Sequence, residues 1–229
     1  MPRWGMVIDL EKCFACQSCT AACRMENNTP VAGPQQCEVG RAILWNEVLP
    51  FIEGEYPNTK VTLLPRPCMH CDNPPCTKVC PVKATYKNDE GLVVVDYNRC
   101  IGCRMCTVAC PYEMRYFNWY PPQWPEALKA HLNPDPETSP RPLGVVEKCT
   151  FCIQRLRKAR QKAESEGRPF TATDYTPACV QTCTGHARYF GDLDDPDSLV
   201  YKLSHSPRAF RLLEELGTEP KVYYLKQGK

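Results

Sequence analysis

Seventeen cysteines in 229 residues constrain this chain more than any other feature, because sixteen of them fall into four groups of four. Residues 100–111 read C-x2-C-x2-C-x3-C-P, with Cys100, Cys103, Cys106 and Cys110 followed by Pro111. Residues 13–23 repeat C-x2-C-x2-C-x3-C through Cys13, Cys16, Cys19 and Cys23. Residues 68–81 read C-x2-C-x4-C-x3-C-P through Cys68, Cys71, Cys76 and Cys80. The fourth group is split, Cys149 and Cys152 first, Cys179 and Cys183 later. Two thiols on one tight turn converge on a common metal or cluster. Three in such a run can wrap one face of an iron–sulfur cube, while the fourth lies one helical turn further on. An odd cysteine count argues against a disulfide framework, and the C-x2-C-x2-C-x3-C form separates iron–sulfur binding from a set of zinc sites.

Sixteen thiolates match four [4Fe–4S] cubes with none to spare. In two-cluster ferredoxins the fourth cysteine of such a run ligates the neighbouring cluster. That cross-over predicts four ligand sets: Cys68, Cys71, Cys76 with Cys110; Cys100, Cys103, Cys106 with Cys80; Cys13, Cys16, Cys19 with Cys183; and Cys149, Cys152, Cys179 with Cys23. An internal repeat supports it. Val7-Ile8-Asp9-Leu10-Glu11-Lys12-Cys13 matches Val94-Val95-Asp96-Tyr97-Asn98-Arg99-Cys100 as apolar, apolar, Asp, apolar, x, basic, Cys. The expected fold class is α+β: two nested bacterial-ferredoxin-like dicluster modules with loop, hairpin and C-terminal extensions. Residues 68–110 form the inner module, 1–67 and 111–190 the outer one, and 191–229 a docking tail.

Between the cysteine groups, 23 prolines against 12 glycines keep elements short. Residues 6–10 read as a strand, 41–47 and 60–64 as a hairpin joined through Gly54 and Pro57, and 92–95 as a strand after a turn at Gly91. Residues 126–132 suit a short helix, and 133–142, with four prolines, suit no regular structure. Residues 154–167 suit a solvated helix ending at Gly167. In the tail, Ser206 and Pro207 suit the cap and first position of a helix with Ala209, Phe210, Leu212, Leu213 and Leu216 on its apolar face, and 221–225 suit a last strand.

A formal charge of +2 argues for neither nucleic acid nor a strongly basic membrane surface. No apolar run has the length of a membrane span. Residues 1–6 carry neither an apolar signal region nor an arginine pair, so export is expected to need a partner. There is no nucleophile–base pair, phosphate loop or substrate-pocket signature, so the protein reads as an electron carrier and not an enzyme. Cys37, in a polar loop, is a spare thiol. His70 lies between two ligands and suits packing or a hydrogen bond near a cluster, whereas His131, His186 and His205 are isolated. Lys12, Arg99, Arg104 and Lys148 flank cysteines, placed either to raise cluster potentials or to stand as solvated charges. The aromatic run 116–124 suits docking or local packing equally.

The nested cysteine groups, the C-x2-C-x4-C-x3-C-P second group, Glu147-Lys148-Cys149-Thr150-Phe151-Cys152 and Gly191-Asp192-Leu193 together resemble the iron–sulfur electron-transfer subunit of the dimethyl sulfoxide reductase and polysulfide reductase molybdoenzyme family. Arg115-Tyr116-Phe117-Asn118-Trp119, with Leu132-Asn133-Pro134-Asp135 and Gly144-Val145-Val146-Glu147, also resembles the ferredoxin part of alternative complex III. The resemblance spans nearly the whole chain. It implies a wire between a molybdenum or tungsten bis-pterin catalytic subunit and a polytopic quinone-binding membrane subunit, held at a membrane face by those partners, with a lean to the outer side. It implies that the cluster of Cys13, Cys16, Cys19 and Cys183 faces the catalytic subunit, and that of Cys80, Cys100, Cys103 and Cys106 the membrane. In the nitrate reductase branch a tryptophan takes the Cys103 position and the site holds a three-iron cluster; cysteine here implies four cubanes. Arg24 and Thr184 depart from the proline that often follows the fourth cysteine. A free polyferredoxin carrier is the alternative. A single-chain iron–sulfur enzyme would need an open iron site, which four cysteines per cubane do not leave.

Overall fold

Backbone that turns to wrap cysteines leaves little length for regular elements, and the longest helix has 13 residues. A computed structural model describes residues 2–228, with every side chain among them except that of Glu137. In chain order the elements are β1 (Trp4–Asp9), α1 (Ser18–Glu26), α2 (Pro34–Glu38), β2 (Asn46–Glu53), β3 (Lys60–Pro67), α3 (Pro75–Lys78), β4 (Thr85–Lys87), β5 (Val93–Val95), α4 (Met105–Val108), β6 (Tyr116–Phe117), α5 (Glu126–Lys129), β7 (Val146–Glu147), α6 (Ile153–Ser165), α7 (Ala178–Gln181), β8 (Arg188–Asp192), α8 (Leu199–Ser204), β9 (Ala209–Phe210) and β10 (Val222–Leu225). No helix among the described residues is long and apolar enough to cross a membrane.

The largest sheet runs β8-β1-β10-β9. Strand β1 pairs antiparallel with β8 and parallel with β10, and all six of its residues are buried. Both faces are covered, which is why its sequence is nearly all apolar instead of alternating. Trp4, Met6 and Ile8 join the core that contains the cysteines, and Val7 packs with Leu193, Leu225 and Val200 of α8 on the other side. Trp4 stacks on Phe190 at 5.5 Å and meets Tyr175 edge-on at 5.1 Å.

The sequence repeat is also a backbone repeat. Asp9 N–H donates to Ala187 O at 2.7 Å, and Asp96 N–H donates to Ala84 O at the same 2.7 Å. Asp9 Oδ1 accepts from Glu11 N–H at 3.1 Å and Asp96 Oδ1 from Asn98 N–H at 3.0 Å. Left-handed residues recur in register, Ala15 and Gln17 in one copy, Gly102 and Arg104 in the other. A Cβ at Gly102 would stand 2.0 Å from Gly144 O, so glycine is required there by space as well as by φ. Antiparallel β4–β5 in one copy corresponds to β8–β1 in the other.

Two expectations from local pattern are corrected. The hairpin pairs Asn46–Glu53 with Lys60–Pro67, so residues 41–45 are not strand. Ile43 and Trp45 are buried instead by side-chain contacts, with Trp45 Nε1–H donating to Glu147 Oε1 at 3.1 Å. The helix expected from Pro207 onward is absent: Ala209 and Phe210 form β9 against Leu225 and Tyr224, Leu213 is left-handed, and only a single 3-10 turn, Glu214–Leu216, remains. Pairing with β10 overrides the 3.6-residue pattern. The tail's helix lies earlier, at α8, where Ser198 Oγ caps by accepting from Tyr201 N–H at 3.0 Å. Ser198→Ala should cost about 1 kcal/mol in urea denaturation; an unchanged midpoint would show that the Ser198 hydroxyl does not stabilise α8. Strand β4, the 3-10 turn Pro136–Thr138 and the short helix that carries Cys37 were not anticipated.

Candidate metal centres

Cys13, Cys16, Cys19 and Cys183 line one cavity. Cys68, Cys71, Cys76 and Cys110 line a second. Cys80, Cys100, Cys103 and Cys106 line a third. Cys23, Cys149, Cys152 and Cys179 lie buried together, the last three all raising the Cys23 thiol beyond what burial alone does. The thiols ring cavities; among the described residues no three histidine, cysteine or acidic groups are gathered on a single ion.

Local structure aims these side chains. Cys19 and Cys23 sit on α1 one helical turn apart, about 6 Å along the axis, so one helix serves two sites. Burial, then Cys68, pushes the Cys149 thiol up to about 12. Burial pushes up Cys106, with Cys76 adding to it. The shared helix and these mutual influences order the four groups, from the Cys16 site through the Cys149 and Cys71 sites to the Cys103 site. Cys16 and Cys103 are exposed, whereas all four cysteines of the Cys149 site and three of the Cys71 site are buried.

Backbone and amide donors already point at sulfur. Ala187 N–H meets Cys183 Sγ at 3.3 Å, Thr85 N–H meets Cys80 at 3.4 Å, Val146 N–H meets Cys100 at 3.4 Å and Phe151 N–H meets Cys149 at 3.4 Å. Asn46 Nδ2 donates to Cys19 Sγ at 3.2 Å. Hydrogen bonds shared with Ser18 and Thr184 bring the Cys16 thiol down to about 7. Arg115 lines the Cys71 cavity with Nε and Nη1 buried and lacking partners among the described residues. An all-cysteine donor set ringed by N–H groups, with guanidinium donors unsatisfied beside it, fits an anionic iron–sulfur cluster.

Residues 59–125, which contain the second and third cysteine groups, match the 4Fe–4S dicluster domain family. Over 230 residues the chain is 48% identical to the menaquinone reductase iron–sulfur cluster-binding subunit of Nitratidesulfovibrio vulgaris, covering 98% of this chain and 89% of that protein. The chain thus belongs to the iron–sulfur subunits of dimethyl sulfoxide, polysulfide and menaquinone reductase-type molybdoenzyme complexes. Another relative, a selenate reductase subunit of Mesobacillus selenatarsenatis, is 44% identical over 97% of this chain and 72% of its own length. A third, from the polysulfide reductase of Wolinella succinogenes, is 33% identical over 96% of this chain and 93% of its own length. As an iron–sulfur subunit of this family, the protein binds [4Fe–4S] clusters and transfers electrons, with no catalytic site of its own.

The basic residues singled out beside cysteines divide sharply. Lys12 is at the surface, bonded to Tyr189 Oη at 2.7 Å, and Arg99 is exposed and paired with Asp96. Arg104 lies over the Trp119 ring at 4.6 Å, which gives the aromatic run a local packing role. Lys148 alone is buried, donating to the carbonyls of Val93 and Cys149. His70 is also fully buried; its Nδ1 accepts from Val93 N–H at 3.2 Å, which leaves Nε2–H to donate to Cys149 O at 3.0 Å. Burial, then Lys148 and Lys221, pushes its pKa well down, so it is a neutral spacer stacked on Phe151 at 3.9 Å. Cys37 is exposed and lines none of the three cysteine cavities. Sequence reasoning missed Arg188, Arg115 and Asn46. A signal was present: Arg115 and Arg188 each stand five residues after the last cysteine of their group.

Proposed function

We propose that this protein holds four [4Fe–4S] clusters in a row and carries electrons between a molybdenum or tungsten bis-pterin catalytic subunit and a quinone-binding membrane subunit of a respiratory complex. The ligands are the four cysteine sets that surround common sites, built as a dicluster module of residues 68–110 nested in a second of 1–67 and 111–190, with 191–229 extending the main sheet. The single observation that supports this reading most is the gathering of sixteen cysteines into four groups, exposed at Cys16 and Cys103 and most buried at the Cys149 and Cys71 groups.

Each cluster, when bound, supplies a one-electron carrier that works without a change of ligands. The protein's own residues do the rest. The cysteines hold the row, the N–H donors at Cys183, Cys80, Cys100 and Cys149 draw charge from sulfur, and the buried middle keeps water from the two inner sites. Each end carries exposed apolar side chains, Phe14 beside Cys13 at one, and Ile101, Met105 and Val108 around Cys103 at the other. Such rims suit partner subunits, the Cys103 end meeting the membrane subunit at the outer membrane face. Affinity purification of the native protein should bring a pterin-containing subunit and a polytopic membrane subunit, with iron and sulfide for four cubes. Recovery as a free monomer with full iron would overturn the assignment in favour of a free carrier.

A further inference from the structure

Three cations are buried in this protein without a carboxylate partner among the described residues. Arg188, Arg115 and Lys148 are 4%, 5% and 0% exposed. A fourth buried cation, Arg141, shows the usual arrangement, paired with buried Glu147 at 2.8 Å. A buried charge without a counter-charge is costly, so such groups imply an anion that the side chains do not supply.

Their positions identify the anion. Arg188 Nη2 donates to Cys19 Sγ at 3.4 Å and to Asn46 Oδ1 at 2.6 Å, and Nη1 reaches Met6 Sδ at 3.6 Å. Its charge also acts on Cys179 and Cys23 of the next group. Arg115 Nη2 donates to Thr85 Oγ1 at 2.9 Å, while its other nitrogens are unpartnered between Cys76 and Cys106. Lys148 lines the Cys71 cavity and contacts Cys149 O at 2.7 Å, between the two inner groups. One cation therefore stands at each of the three junctions in the row.

We propose that Arg188, Lys148 and Arg115 are shared counter-charges, each raising the reduction potentials of the two clusters it stands between and weakening the repulsion between them when both are reduced. The inference rests on the four-cluster reading. Reduction adds a negative charge in a poorly screened interior, where a fixed cation counts for far more than an exposed one such as Arg99. A guanidinium cannot discharge by losing a proton, which suits it to hold a potential constant. Placement between two sites makes the effect pairwise: one substitution moves two potentials.

The test is a potentiometric titration of the purified protein followed by EPR, with signals assigned by Cys16→Ala, Cys152→Ala, Cys71→Ala and Cys103→Ala. Arg188→Met should lower the two midpoints assigned to the Cys16 and Cys152 sites and leave the other two in place. Arg115→Met should do the reverse. Arg188→Lys should restore most of the first shift, because it restores charge and not shape. If Arg188→Met loses iron, Arg188→Gln against Arg188→Lys reads the same dependence on charge. Loss of iron in every neutral variant, potentials that do not move, or four potentials that move together would each overturn the proposal. Fewer than four clusters in the unsubstituted protein would instead overturn the four-cluster reading on which it rests.

Discussion

Cys110→Ala should extinguish the EPR signal that Cys71→Ala extinguishes, and Cys80→Ala the signal that Cys103→Ala extinguishes. The reason is the cross-over placement: Cys110 lines the cavity of Cys68, Cys71 and Cys76, while Cys80 lines that of Cys100, Cys103 and Cys106. Each substitution should remove or convert one cluster and leave the other three, because in the proposed ligand sets each site draws on its own four thiols. The functional loss should be far larger than one part in four. Carriers in the proposed row work in series, so a missing inner station at Cys110 should bring quinone-linked electron transfer by the proposed complex to background. Iron and sulfide analysis with EPR measures the first effect, and quinol-linked turnover the second. If Cys110→Ala and Cys103→Ala abolished the same signal, each motif would hold its own cluster and the proposed sets would fall.

Glu147→Ala should be the most destabilising single change outside the cysteines. Its carboxylate is fully buried and accepts from Trp45 Nε1–H at 3.1 Å, Arg141 Nε–H at 2.8 Å and Asn118 Nδ2–H at 3.2 Å. Arg141 lies over the Trp45 ring at 4.7 Å and donates to the carbonyls of Asn27 and Asn28. One carboxylate thus ties both insertions between cysteine groups to the backbone beside Cys23. Removing it leaves a buried guanidinium uncompensated, at about 3–5 kcal/mol, or roughly 10 °C in melting temperature for a protein of this size. Glu126→Gln, which breaks the exposed Lys129–Glu126 pair, should shift stability by about 0.5 kcal/mol or less. Thermal melts of both variants check this contrast; a Glu147→Ala protein that melts like the native one would sink it.

Asn27 links that network to the metal sites, with Nδ2 at 3.7 Å from Cys23 Sγ and 3.8 Å from Cys152 Sγ. Loosening the insertions should therefore be felt at the inner site and not only in bulk stability.

Much of this was legible in the sequence. Cysteine spacing is a local property, because a few residues of covalent backbone decide which thiols can face one cluster. The repeat around Asp9 and Asp96 is local in the same sense, and it reappears as matched hydrogen bonds and left-handed residues. The tail failed for the opposite reason. Residues 209–216 carry a helical apolar pattern, but the register Tyr224↔Phe210 and the parallel pairing of β10 with β1, more than 200 residues away, decide their structure. The hairpin slipped similarly: Trp45 has the look of a strand residue and is held by Glu147, about a hundred residues on.

By itself, then, the sequence determined the four cysteine groups and the ligand sets proposed for them, since ligand chemistry and turn geometry act over a handful of residues. Only the tertiary structure decided the order of the sites, which ends are open, and that Arg188 and Arg115 are buried between them while Arg99 and Lys12 are not. Burial and proximity between distant segments are products of packing, and an arginine's letter is the same whether its charge is spent on water or on a cluster.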